Sequence, residues 1–187
     1  MGNFEFVFSL FGLLLGLALA EVLAGFGRAL ETRGTVQVGW LTPLLGLFIA
    51  LDLISFWGVA WTVRDTIPAS FLSLFWGFAL TAIYYLVARL VFPRDPGKWP
   101  NFDHYYFAHK RLLLSGVLLC NLLAIAGQWT LGLVPFADSG DWFSVGLFFP
   151  ALALAIWVTG KRSNLALLVI LLMYYLLLAL LPLLIFQ

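Results

Sequence analysis

Two carboxylates interrupt the apolar runs of this chain, Glu21 in LALAEVLAG and Asp52 in FIALDLISF. An ionised carboxylate inside hydrocarbon is costly unless it meets protein, a partner or water. Such a group therefore marks an ion or proton path, or a tie between helices. Asp52 follows Trp40 by twelve residues, roughly 18 Å of helical rise, which puts it near the middle of a bilayer. Ser55, three residues on, can share its face. Glu21 precedes Arg28 by seven residues, about 10 Å of rise, so the two acids differ in depth by about 7–8 Å. Arg89, one turn after Tyr85, is the natural partner for Glu21, provided its side chain turns inward instead of snorkelling to the headgroups. Asn121 and Gln128 are seven residues apart and form one polar face. Read together, Glu21, Asp52, Asn121 and Gln128 outline an internal polar track that binds a proton or cation. The same residues, paired or protonated, would serve instead to lock helices in register.

A second constellation lies in FDHYYFAHKR, where Asp103, His104, Tyr105 and His109 precede Lys110 and Arg111. One reading is a site for an anionic headgroup or a metal. The two histidines are five residues apart, and a helix brings side chains onto one ion at three or four, so no metal is expected there. Aromatic rings and cations anchored at the membrane interface are the favoured reading. Other chemistries lack their residues. Both histidines fall outside the apolar runs, which disfavours a bis-histidine haem. No lysine lies within a span to carry a Schiff base. Cys120 is the only cysteine, so an internal disulfide and a cysteine metal cage are excluded. There is no HExxH and no Walker loop. No cofactor is expected, and catalysis would have to come from Asp103 and His104 without a recognised signature.

The elements that must position these residues are long and apolar. The 187 residues are 63% hydrophobic and 10% charged, with mean hydropathy +1.03, where ordinary soluble domains carry about 25% charged residues. A net charge of +1 gives no reason to expect a nucleic-acid partner. The expected fold is all-α, a single transmembrane domain of six spans at about 4–29, 40–63, 69–92, 112–134, 142–160 and 165–186, with an interfacial helix at about 101–111. Pro43 and Pro68 stand at helix starts, Pro93 and Pro135 at ends, and Pro150 within the fifth span, where a kink is expected. Asp141 and the pair Ser163 and Asn164 are candidate N-caps. Ala18-Leu19-Ala20 resembles a signal-peptide cleavage site, yet no Lys or Arg precedes the apolar core and the run continues to Gly27. The segment reads as the first span. Within it Gly12, Gly16, Ala20 and Ala24 recur every fourth residue, a bare stripe suited to close packing inside the bundle. The sixth span, nearly all leucine, reads as lipid-facing.

Basic residues orient the chain. Arg28, Arg33, Arg89, Arg94, Lys98, Lys110, Arg111, Lys161 and Arg162 fall on one side, and Arg64 alone on the other. Lys and Arg are retained in the cytoplasm, so both termini are expected outside. Tryptophans gather near both boundaries, as their amphipathic rings favour. No similarity between the two halves indicates an inverted repeat. The segments FEFVFSLFGLLLGLALAEVLAGFGRAL, GWLTPLLGLFIALDLISFW, YYLVARLVFP and FDHYYFAHKR resemble a group of small multi-span bacterial membrane proteins. The resemblance implies a compact helical fold in a bacterial inner membrane, with both termini periplasmic by the charge rule, and carries no site residues with it. The expected function is a small channel or transporter-like module for a proton, cation or small solute. Two alternatives stand beside it: a non-catalytic subunit or scaffold, and a lipid- or quinone-handling enzyme at the cytoplasmic face. Membrane lipids and a second copy or a partner membrane protein are the expected partners.

Overall fold

The structure, a computed structural model, describes the backbone of residues 3–130, 132 and 139–185. Six α-helices account for most of it: α1 Asn3–Thr32, α2 Leu41–Thr62, α3 Phe71–Leu90, α4 Phe102–Thr130, α5 Ser139–Trp157 and α6 Lys161–Ile185. A single 3₁₀ turn spans Pro96–Lys98, and the described residues contain no strand. Five helices are long and apolar enough to cross a membrane. The described apolar stretch of α5, Val145–Trp157, is shorter.

The helices close into a circuit. α1 packs on α3, α3 on α4, α4 on α5, α5 on α6, α6 on α2 and α2 back on α1, while α2 also reaches across to α4. α2 is the central element, with half of its apolar window buried against 22% in α1, α3 and α4. Its Leu45, Phe48, Ile49 and Leu53 are all enclosed, together with Leu15 of α1, Leu114 of α4, Leu152 of α5 and Leu168 of α6. Asp52 lies on this helix, so its environment is set by neighbours on several sides.

Side-chain caps set the starts of α3 and α4. Ser70 caps α3 by accepting from the Ser73 N–H, and Asn101 Oδ1 accepts from the His104 N–H at 2.8 Å to start α4. No Gly or Pro separates Phe102 from Leu112, so 101–111 is not a separate interfacial helix. Its residues from Phe102 onward form the first turns of α4. α5 begins at Ser139, two residues before the expected cap Asp141. α6 begins at Lys161, so Ser163 and Asn164 lie inside the helix and do not cap it. Pro135 lies outside the described residues.

The bare stripe on α1 does not pack inside the bundle. Gly16, Ala20 and Ala24 are exposed, and a Cβ added at Gly16 meets no other atom within 4 Å. The buried face carries Val7, Leu15, Ala18, Val22, Gly25 and Ala29. That face combines side chains large enough to fill space with a glycine at the one point of closest approach. The ring of Phe92 occupies the space where Gly25 would carry a Cβ, and Gly46 of α2 receives the same ring from the other side. α6 also departs from expectation. It packs on α2 and α5, and buries Leu168, Leu171, Leu172 and Tyr175.

Candidate functional site

The carboxylate of Asp52 is 0% exposed and closed in by three other helices. The Tyr84 hydroxyl of α3 donates to Oδ2 and the Tyr175 hydroxyl of α6 to Oδ1. Asn121 Nδ2 of α4 lies 3.3 Å from both oxygens, and it also donates to the Val117 carbonyl of its own helix at 3.1 Å. Ser55 does not reach the carboxylate; its hydroxyl donates to the Asp52 carbonyl at 2.7 Å. Phe56 packs edge-on against Tyr84, and Phe48 and Phe148 flank Tyr175. The acceptor capacity of the carboxylate is met by hydroxyl and amide donors. Among the described residues no cation forms an ion pair with it. The result is a four-helix clasp on one side chain.

Glu21 belongs to a different cluster. Arg89 Nη1 is 3.1 Å from Glu21 Oε1 and donates to the Tyr85 hydroxyl at 3.0 Å, so the arginine turns inward along α3. Tyr84 and Tyr85 are adjacent, and successive helical residues point about 100° apart, at 3.6 residues per turn. One tyrosine therefore leads to Asp52 on α2 and the other to Glu21 on α1. Glu21 and Asp52 do not share a polar track. Gln128 joins neither cluster. It lines an apolar cavity of about 270 Å³ between α1, α2, α3 and α4, with Phe11, Phe56, Trp76 and Leu123 among its walls.

The FDHYYFAHKR residues divide between tie and anchor. Asp103 turns inward: Oδ1 accepts from the backbone N–H of Leu41 at 3.1 Å, at the start of α2, and Oδ2 pairs with Lys161 of α6 at 2.6 Å. An anion at a helix N-terminus satisfies an orphan donor and faces the positive end of the dipole. Thr42 adds a bond to the Phe102 carbonyl at 2.7 Å. Gly39 is required here, because a Cβ would overlap the Asp103 carboxylate. His104 is exposed. Tyr105 and His109 stack with centroids 4.2 Å apart beside Trp99, and the Tyr105 hydroxyl donates to the Leu90 carbonyl at 2.7 Å. Among the described residues no three His, Cys, Asp or Glu side chains come together to hold a metal. In the adjoining loop, the hydrogen bond from Lys98 to Asp95, 2.8 Å long, holds the ammonium pKa above its usual value.

One cluster has no signature in the sequence. Lys110, 2% exposed, donates to the Ala155 carbonyl at 2.8 Å, to Asn164 Oδ1 at 2.9 Å and to the Val158 carbonyl. Asn164, fully buried, donates to Val158 and Gly160 carbonyls at 2.7 and 2.8 Å and accepts from the Tyr106 hydroxyl at 2.9 Å. Lysine and asparagine thus close the C-terminal end of α5, where carbonyls lack intrahelical donors. Lys110 reads as a topological charge from its place in the chain. Only the position of α5 reveals its partners. Tyr84 and Tyr175 carry a weaker signal, since a tyrosine inside an apolar run needs a partner for its hydroxyl.

No protein-family model, no curated protein and no solved structure matches the chain. What fold and site define is a class: an all-helical membrane protein in which Glu21, Asp52, Asp103 and Lys110 each bond from one helix to another.

Proposed function

We propose that this chain is a non-catalytic membrane module, a rigid helical scaffold that packs against a partner in the bilayer. One observation carries the reading: the mid-helix carboxylate of Asp52 is spent on Tyr84, Asn121 and Tyr175, each from a different helix. A transport site would keep part of its coordination open for the passenger. The separation of Glu21 from Asp52 further favours a set of ties over a conducting track. The outward stripe Gly16, Ala20 and Ala24 supports the same reading, because small residues on a lipid-facing side let a partner helix approach closely. Catalysis at His104 has less support, since Asp103 beside it is committed to Leu41 and Lys161. In this reading the chain crosses a bacterial inner membrane six times, with both termini periplasmic, on the strength of the basic-residue asymmetry.

The test is reconstitution into liposomes loaded with a pH-sensitive dye, with Asp52→Asn alongside the parent and a potassium gradient imposed in both. Flux at the level of empty liposomes for both proteins is the expected result. Proton or cation flux that the parent shows and Asp52→Asn lacks would replace the scaffold with a transporter. The orientation is checked separately by labelling Gly97→Cys with a membrane-impermeant maleimide. Labelling should require permeabilised spheroplasts, and labelling of intact ones would invert the topology.

A further inference from the structure

A partly open cavity of about 220 Å³ lies between α2, α4, α5 and α6, against the outer side of the Asp52 clasp. Its polar wall is Ser55, Asn121 and Tyr175, and its apolar wall includes Ile125, Phe148 and Phe149. The hydrogens of the polar wall are already placed. Ser55 has one hydroxyl hydrogen, shared between the Asp52 carbonyl and the Tyr175 hydroxyl oxygen, and Tyr175 gives its own to the carboxylate. The Asn121 amide nitrogen faces the Asp52 carboxylate and the Val117 carbonyl. Both are acceptors, which fixes the amide orientation and leaves Oδ1 as its remaining group. The wall therefore presents oxygen lone pairs, and its complement is a hydrogen-bond donor.

The remaining walls define the body of that ligand. Aromatic and branched side chains favour a flat apolar ring. An apolar cavity of about 150 Å³ takes a benzene molecule, so 220 Å³ accommodates one substituted ring and not a fused polycycle. Three oxygens on one wall with Phe148 and Phe149 nearby do not make a cage for a bare cation, which needs oxygens on several sides. We propose that this cavity is a binding site for single-ring, hydroxyl-bearing compounds dissolved in the membrane, the phenol and quinol class. The ring lies against Phe148 and Phe149, and its hydroxyl donates to the Ser55, Asn121 and Tyr175 wall. The site stands independently of the scaffold reading, since neither a partner nor transport is required to fill it.

The experiment is equilibrium dialysis of 4-propylphenol and 4-propylanisole against the protein in nanodiscs, with partition into empty nanodiscs subtracted. The two probes share ring and chain and differ in the donor. The phenol should bind saturably and at least about fivefold more tightly than the ether, the ratio that one net hydrogen bond supplies. Val145→Phe and Ile125→Phe, each placing a ring into the cavity without touching the carboxylate, should remove the saturable phenol component in a protein that still melts cooperatively. Equal binding of phenol and ether, no saturable binding of either, or phenol binding unchanged in both filled variants would overturn the proposal.

Discussion

Replacing Lys110 by methionine removes a buried charge and three donors while keeping an apolar stem of similar length. A buried charge is expensive, and replacing one by an apolar group is sometimes stabilising, so the sign depends on what the three bonds leave behind. The structure supplies that accounting. The Val158 carbonyl retains Asn164 Nδ2 at 2.7 Å, and Asn164 Oδ1 retains the Tyr106 hydroxyl at 2.9 Å. Among the described residues the Ala155 carbonyl, bonded by Lys110 at 2.8 Å, has no such second side-chain donor. An orphaned buried acceptor costs about 1–3 kcal/mol, and losing a cation from a partly buried helix C-terminus adds about 0.3–2 kcal/mol. Recovered desolvation offsets part of this, so the expected net destabilisation is about 1–4 kcal/mol. Asn164→Ala should cost more than Lys110→Met, because it removes four hydrogen bonds at once, takes one of three acceptors from the lysine and leaves the Tyr106 hydroxyl without its bond to Asn164. Equilibrium unfolding in mixed micelles of dodecylmaltoside and dodecyl sulfate measures both. A Lys110→Met variant as stable as the parent or more so would show that desolvation outweighs the bonds, and the account of the α5 terminus would fail.

Gly39→Ala should destabilise by about 1–3 kcal/mol, as overpacking does, since its methyl overlaps the Asp103 carboxylate at the α2 N-terminus; a neutral result in the same unfolding assay would mean that the loop moves aside freely. Gly25→Ala should cost a similar amount against the Phe92 ring, and combined with Phe92→Leu it should cost less than the two single changes added together, because contacting residues couple. Additivity within about 0.3–0.5 kcal/mol would place the ring elsewhere. Gly16→Leu should leave stability within about 0.5 kcal/mol of the parent, because the position is exposed and a Cβ there meets nothing within 4 Å, while reducing any assembly measured by crosslinking in membranes. A large loss of stability would return the stripe to the inside of the bundle.

Much of this protein follows from composition and periodicity. Apolar runs too long for a soluble core, with Pro68 and Pro93 between them, determine that the chain is helical and roughly where its helices lie. These are local matters, governed by hydropathy and the backbone limits of proline, and local matters are written in order along the chain. The expected caps Asp141, Ser163 and Asn164, however, fall inside helices, and the caps Ser70 and Asn101 emerge only from the structure. The pairing of Glu21 with Arg89 was within reach for a related reason, since it needs only similar depths and opposite charges. What surrounds Asp52 was not. Tyr84, Asn121 and Tyr175 are separated from it by 32, 69 and 123 residues, and nothing in their neighbours says which face of each helix turns inward. The same limit hid Lys110, whose partners are backbone carbonyls without a sequence signature, and misplaced the glycine and alanine stripe, because α1 has small residues on two faces. The sequence alone determines the hydrophobic thickness of each helix; its rotation about its own axis is settled by packing against the others, and that rotation decides which polar groups meet.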